Sequence, residues 1–257
     1  MKVITLNTWG GRRLEPLLEF LKKKSGDTDI FCFQELLFGL EPRFTPENYR
    51  ENVFDEIRAV LSDFHSYPRY APEGAYFNFL PMDFRCGQAI FVKKSIQVTG
   101  EGGFPLYPED SWITLSPETH LTGNFQFVEV HSDNTSHIIG NVHGLWFKEG
   151  KSDNPERLDQ SRRIVEFFAP RGDKKILCGD FNLRPETESI AILGGNMRNL
   201  IKEFKIKTTR TKFYKDMEKY SDYIADYMFV SPDVEVKRFE ILPDEPSDHS
   251  PLFLEIN

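Results

Sequence analysis

Five times along this chain an apolar, strand-like run breaks off into a polar or ionisable side chain. The segments are Leu6-Asn7-Thr8-Trp9, Phe33-Gln34-Glu35, Asn141-Val142-His143, Cys178-Gly179-Asp180-Phe181-Asn182 and Ser247-Asp248-His249-Ser250. A sixth run, Ile224-Ala225-Asp226-Tyr227-Met228-Phe229-Val230, carries its carboxylate inside the apolar stretch. Short continuous apolar runs are what strands covered on both faces look like, which points to stacked layers of sheet and helix. Strand ends on one rim of a sheet converge in space, so residues distant in sequence can serve one site there.

The intervening segments supply the other layers. Residues 2–6 read as a first strand. Leu14, Leu17, Leu18 and Leu21 then recur at helical spacing until Gly26 ends the helix. A buried strand is expected at 29–34, and a second helix over 51–64, where Val53, Phe54, Ile57, Val60, Leu61 and Phe64 make one stripe. Strands follow at 88–92, 126–130 and 137–142, the last two forming a hairpin across Ser132-Asp133-Asn134. A third helix is expected at 155–168, with Pro155 in its first turn and Asp153-Asn154 available as caps. Strands at 175–178, 222–230, 234–241 and 252–256 complete the set. The chain shows no repeat and no Gly/Ser linker, so one α/β domain over 1–257 is expected, with helices outside two sheets.

Composition narrows the function classes. Hydrophobic residues make up 39% and charged residues 28%, too apolar for a disordered chain. No apolar run reaches the length of a membrane span, and the start lacks the pattern of a secretory signal, so a cytoplasmic protein is expected; the sequence leaves its oligomeric state open, with a monomer favoured. Cys32, Cys86 and Cys178 are too widely spaced for a Cys-x-x-Cys motif and read as small buried hydrophobes. A net charge of −8 argues against broad neutralisation of nucleic-acid phosphates, while leaving room for a local basic groove. One candidate is 202–219, with seven basic and three acidic residues; a phosphate-facing rim and a solvated surface segment are both open readings. The aromatic stretch 75–85 and Trp146-Phe147 are equally ambiguous between stacking surface and core edge.

Each polar strand end has an ordinary explanation. A lone carboxylate there is usually a solvated turn residue, and a lone histidine such as His143 is usually hydrogen-bonded structure. Asp226 resists that reading, because a carboxylate among Ile224, Tyr227, Met228 and Phe229 is expected to be partly buried, and a buried carboxylate needs a partner. Asp180 and Asn182, two apart on an extended chain, would face one bound group. Glu35, Asp180, Asp226 and Asp248 gathered together would repel a phosphate ester. A divalent cation reverses that field, and His143 and His249 titrate close enough to neutrality to move protons.

Taken together, in this order and over nearly the whole chain, the six segments resemble the endonuclease/exonuclease/phosphatase superfamily, the DNase I-like fold. The resemblance implies a four-layer α/β/β/α sandwich of two mixed sheets, with the site at one end. It implies that Glu35 is the principal Mg²⁺ ligand, with Mn²⁺ as an alternative ion, and that Asn7 and Asp248 assist directly or through water. Asp180 would orient or deprotonate the attacking water, Asn182 and His143 would hydrogen-bond the phosphoryl oxygens, and His249 would be polarised by Asp226. Where exonuclease III-like members carry Asn at the phosphate-binding strand end, this chain carries His143, as DNase I-like and lipid-directed branches do. The implied function is metal-dependent hydrolysis of a phosphodiester. Nucleic acid ranks first as substrate and a lipid or inositol phosphate second, and the rival from another class is a non-catalytic binding module on the same fold.

Overall fold

The structure, a computed structural model, describes residues 1–71, 85–107, 123–132, 135–172, 174–215 and 223–257. In chain order the elements are β1 (Lys2–Asn7), α1 (Leu14–Lys24), β2 (Ile30–Leu37), α2 (Val53–Val60), β3 (Phe64–Tyr70), β4 (Cys86–Lys93), β5 (Gln97–Pro105), β6 (Asn124–Ser132) and β7 (Thr135–His143). They continue with α3 (Pro155–Phe168), β8 (Lys174–Asp180), α4 (Glu188–Gly194), β9 (Arg198–Asn199), α5 (Leu200–Glu203), β10 (Asp226–Val230), β11 (Val236–Ile241) and β12 (Leu252–Ile256). Among the described residues these form two six-stranded mixed sheets, ordered β11-β12-β1-β2-β4-β3 and β5-β6-β7-β8-β10-β9.

Alternation along the strands explains the layering. Val3, Ile30, Cys32 and Ile90 point between the sheets, where they share one core with Val128, Val142 and Cys178. Their neighbours Ile4, Leu6, Phe31 and Phe33 point the other way and meet Leu17, Phe20 and Leu21 of α1 and Ile57 of α2. On the second sheet, Phe125 and Phe127 face outward onto Phe167 of α3, while Gln126 between them donates to Tyr67 O across the sheet interface at 2.6 Å. The expected four-layer sandwich is the arrangement observed. Asn154 accepts from Arg157 N and caps α3, as its sequence suggests, but Asp153 caps the first amides of α4, at Glu188 N (2.7 Å) and Ser189 N (3.0 Å).

Several boundaries differ from the sequence pattern. The helix expected over 51–64 covers only Val53–Val60, and Phe64 instead opens β3, paired to β4 from Phe64↔Lys93 onward. An apolar residue four after Val60 fits both a helical stripe and a strand, so only sheet pairing decides. Strand β5 leaves little mark in the sequence because Gly100, Gly102 and Gly103 dilute its β-propensity, and it forms an edge strand bulged between Val98 and Gly100. The short α4, β9 and α5 also carry no clear period. The strand expected from 222 begins at Asp226, so that carboxylate opens the strand and is not inside it. The expected strand at 29–34 extends to Leu37 and therefore contains Glu35. The hairpin of β6 and β7 is present, with 133 and 134 outside the described residues, as are 75–84 and 216–219 of the two ambiguous segments.

Gly179 shows how closely the second sheet is built at its functional end. Its φ is +132°, and an added Cβ would lie 2.0 Å from Val142 O on β7. We expect Gly179→Ala to destabilise the protein by about 2–5 kcal/mol, combining a disfavoured backbone conformation with overpacking. Urea unfolding of the variant checks this, and a loss below about 0.5 kcal/mol would match an ordinary surface change instead.

Candidate active site

Pairing direction brings the six polar segments to one edge. Strand β1 runs parallel to β2 and β7 parallel to β8, so Asn7, Glu35, His143 and Asp180 emerge at the same ends. Strand β10 is antiparallel to β8, and β12 to β1, so the segments that open them, Asp226 and Asp248-His249, start where the others finish. The two sheets share that edge: Asn7 Nδ2 donates to Glu35 Oε1 at 2.9 Å and, across the sandwich, to Asp180 Oδ2 at 3.1 Å. The eight residues singled out in the sequence thus form one cluster, and all are buried except Glu35, which is half-buried.

Glu35 sits on a β-bulge between Phe33 and Leu36 with φ +55°, left-handed for a non-glycine residue. Thr8 pins that turn by donating its hydroxyl to Gln34 O (3.0 Å) and Glu35 O (2.9 Å). Trp9 and Asn182 also have positive φ, so backbone strain collects around the site. Asp180 and Asn182 are not two positions on extended chain. Asn182 turns back, its N–H donating to Asp180 Oδ1 at 2.9 Å, while its side-chain nitrogen donates to Gly144 O at 3.2 Å.

Two cations that sequence reasoning does not place stand among the carboxylates. Lys151, from the loop before α3, is buried and donates to Asn182 Oδ1 at 2.6 Å. Arg210 is buried with Nη1 3.5 Å from Asp248 Oδ2 and in hydrogen-bond contact with His249 Nε2. In the sequence Arg210 counts only as one of seven basic residues in 202–219, and Lys151 has no periodicity or motif to mark it. They correct the picture of an all-anionic pocket: the carboxylates of Asp180, Asp226 and Asp248 have cationic company before any ion is added.

The electrostatics separate the carboxylates. Burial opposes ionisation of Asp180, but Lys151, His249, Arg210 and His143 outweigh it and hold the carboxyl well below the usual range. Burial pushes Glu35 up to about 7, only partly opposed by His249 and by the Asn7 hydrogen bond. Burial pulls Lys151 down to about 8 against the attraction of Asp180. For His249, burial and Arg210 oppose the charged form, yet Asp226, Asp248 and Asp180 together raise its pKa. Its Nδ1 lies 2.8 and 2.9 Å from the two Asp226 oxygens, and Asp226 Oδ2 also accepts from Thr209 Oγ1 at 2.7 Å. Because a guanidinium only donates, Arg210 against Nε2 selects the Nδ1–H tautomer directed at Asp226. Nε2 is also 3.6 Å from Asp180 Oδ2.

A divalent cation fits this donor set. Glu35 Oε2 is buried without a hydrogen-bond partner, and neither Lys151 nor Arg210 pairs with that carboxyl. Ligand atoms of Glu35, His143 and Asp180 lie within 4.8 Å of one another, with His143 Nε2 3.7 Å from Glu35 Oε1. Hard oxygens grouped around an uncompensated carboxylate suit Mg²⁺ better than a soft metal. Asn7 turns its amide nitrogen, not its oxygen, to Glu35 and Asp180, the oxygen accepting from Trp9 N at 2.9 Å.

Comparison with known proteins agrees with this architecture. The family model for the "Endonuclease/Exonuclease/phosphatase family" matches residues 4–249. Among solved structures, the mannosyl-6-phosphatase of Bacteroides thetaiotaomicron is 17% identical with a TM-score of 0.73, covering 100% of this chain and 99% of its own. TDP2 of D. rerio complexed with a single-strand DNA product is 16% identical with a TM-score of 0.71, covering 100% and 98%. The human Nocturnin catalytic domain with bound sulfate is 16% identical with a TM-score of 0.71, covering 100% and 93%. No curated protein matches the chain. At such identities the structural likeness speaks to the fold.

Proposed function

The chain belongs to the endonuclease/exonuclease/phosphatase family, of metal-dependent hydrolases of phosphate esters, and from that premise we propose that it hydrolyses a phosphodiester bond in nucleic acid, using Mg²⁺. The observation that carries the reading is the bridge from Asn7 to Glu35 and Asp180, carboxylates 28 and 173 residues away, with Glu35 Oε2 left buried and unpartnered beside it. Glu35 would be the principal ligand and Asp248 would assist directly or through retained waters, while Asn7, its oxygen held by Trp9 N, would position the Glu35 carboxylate through its amide nitrogen. When bound, the ion neutralises charge on the phosphate, polarises the phosphoryl oxygen and acidifies coordinated water.

The chain's own residues do the rest. Asp180, kept ionised by its cationic neighbours, orients the attacking water and accepts its proton. Lys151 and Arg210 bring fixed positive charge to the phosphoryl oxygens, assisted by hydrogen bonds from Asn182 and His143. His249, held by Asp226 at Nδ1, takes up a proton at Nε2 once a bound phosphate draws Arg210 away from that nitrogen, and supplies it to the charge that develops as the bond breaks. Nucleic acid is favoured over other esters by the aromatic and arginine pairs around the cluster. Arg12 lies 4.8 Å from the half-buried Trp9 ring, and Arg210 lies 4.4 Å from the half-buried Tyr214 ring. Such surfaces stack bases while tracking a phosphate backbone. TDP2 of D. rerio, similar in fold, is described with a single-strand DNA product.

A substrate panel in Mg²⁺ and in Mn²⁺ tests the proposal, with single- and double-stranded DNA, RNA, 5′-tyrosyl DNA, sphingomyelin, inositol phosphates and a sugar 6-phosphate. We expect the highest kcat/KM on a nucleic-acid strand and none in EDTA. Turnover that survives EDTA would refute the metal-dependent reading, a preference for the monoesters or lipids would refute the nucleic-acid one, and silence at every metal concentration would fit a binding module.

A further inference from the structure

A second cavity, of about 530 Å³, adjoins the catalytic cluster, within the size range of small-ligand sites. Its floor includes the buried Ile201 and Ile224, whereas Arg184, Lys202, Lys205 and Lys207 at its rim are exposed and face one carboxylate, Glu186. Those four cations make no ion pair within the described residues, whereas nearby Arg198 and Lys212 are tied to Glu203 and Glu245. Four cations against one carboxylate around one hollow, in a chain of net charge −8, make a local positive potential.

The hollow shares walls with the catalytic centre. Tyr223 lines it, and the same ring lies 5.7 Å from Lys151 Nζ and 5.6 Å from Arg210 Cζ. Arg184 stands two residues after Asn182 and donates its N–H to Lys151 O at 3.0 Å, and Ile224 stands two residues before Asp226. A phosphate held between Lys151 and Arg210 would lie beside Tyr223, at the wall this space shares with the catalytic cluster.

We infer that the cavity is a subsite for the nucleotide next to the scissile bond. Its neighbouring phosphate meets the lysine rim, and its base lies on the apolar floor beside Tyr223. A simple inorganic anion would use the rim alone, and a plain hydrocarbon would leave four cations unanswered; a nucleotide uses both. The subsite rests on the nucleic-acid reading and assigns the residues that would set the preference for longer strands.

The test compares the wild type with Lys202→Gln/Lys205→Gln/Lys207→Gln, three exposed positions outside the catalytic cluster. Two substrates are used: bis(p-nitrophenyl) phosphate, which has one phosphate and no neighbour, and a single-stranded trinucleotide. Trinucleotide binding is also measured by fluorescence anisotropy in EDTA, where no turnover is needed. We expect the variant to lose on the order of 10-fold or more in trinucleotide affinity and kcat/KM, and the slope of log affinity against log salt to shrink by about 0.7 for each phosphate no longer neutralised. Turnover of bis(p-nitrophenyl) phosphate stays at the wild-type rate. Unchanged trinucleotide affinity, or an equal loss on both substrates, overturns the subsite while leaving the proposed reaction intact. A wild type that cleaves bis(p-nitrophenyl) phosphate but neither binds nor cleaves the trinucleotide overturns the nucleic-acid reading itself and the subsite with it.

Discussion

Glu35→Gln is expected to lower kcat/KM by about 10³-fold or more and to remove the response to Mg²⁺. Charge stabilisation by an ion at a phosphoryl centre contributes several kcal/mol, and each 1.4 kcal/mol is a factor of ten. The glutamine keeps the shape of the side chain and can still meet Asn7, so the fold should survive. Stability separates this from a merely structural role. The Glu35 carboxyl has a folded pKa of about 7 against 4.5 ordinarily, because burial disfavours its charge. An acid that holds its proton more tightly when folded contributes stability in full below about 4.5 and loses it as pH rises through about 7. In EDTA, therefore, the melting temperature of the wild type should fall between pH 5 and pH 7.5, and Glu35→Gln should flatten that decline. Adding Mg²⁺ should raise the wild-type melting temperature more at pH 7.5 than at pH 5.5, since the carboxyl must shed its proton to bind the ion. A variant with the wild-type decline and the wild-type Mg²⁺ response would show that Glu35 does not hold the metal.

What is legible in the sequence follows from what a strand needs. Asn7, His143 and Asp180 are readable because a buried strand is a short apolar run, and the polar residue that ends it stands out against that run. That they converge is readable only through the family resemblance, since pairing direction leaves no mark on a single strand. Phe64 reads as helix because one apolar residue satisfies two periods at once, and β5 escapes notice because its glycines suit a bulged edge and blur the pattern. The larger omissions are Lys151 and Arg210. A lysine in a loop and one arginine in a basic stretch look solvated, and nothing local tells that both are buried against Asn182, Asp248 and His249. Their burial is a property of the tertiary structure: the carboxylates gathered from four other segments are what make two buried cations tolerable.

Asp226→Asn should be the second most damaging change, costing about 10²–10⁴-fold in kcat/KM, the usual reach of a positioned acid or base. His249 is packed among charged groups from three directions: Asp226 at its Nδ1, Asp180 and Asp248 facing Nε2, and Arg210 against Nε2. The carboxylates raise its pKa above the ordinary histidine value in spite of burial and Arg210. If the imidazolium delivers the proton, activity is present below that raised pKa and is lost as pH climbs through it, giving the alkaline limb of the profile. Asparagine keeps a hydrogen-bond acceptor for Nδ1 and for Thr209 but removes one of the three negative charges, so the limb should move to lower pH as the rate falls. His249→Ala should abolish the limb altogether. A loss of rate in Asp226→Asn with the limb unmoved would assign Asp226 a packing role only. A limb that moved to higher pH would contradict the electrostatic account, because no arrangement in which Asp226 stabilises the imidazolium can bind that proton more tightly once its charge is gone.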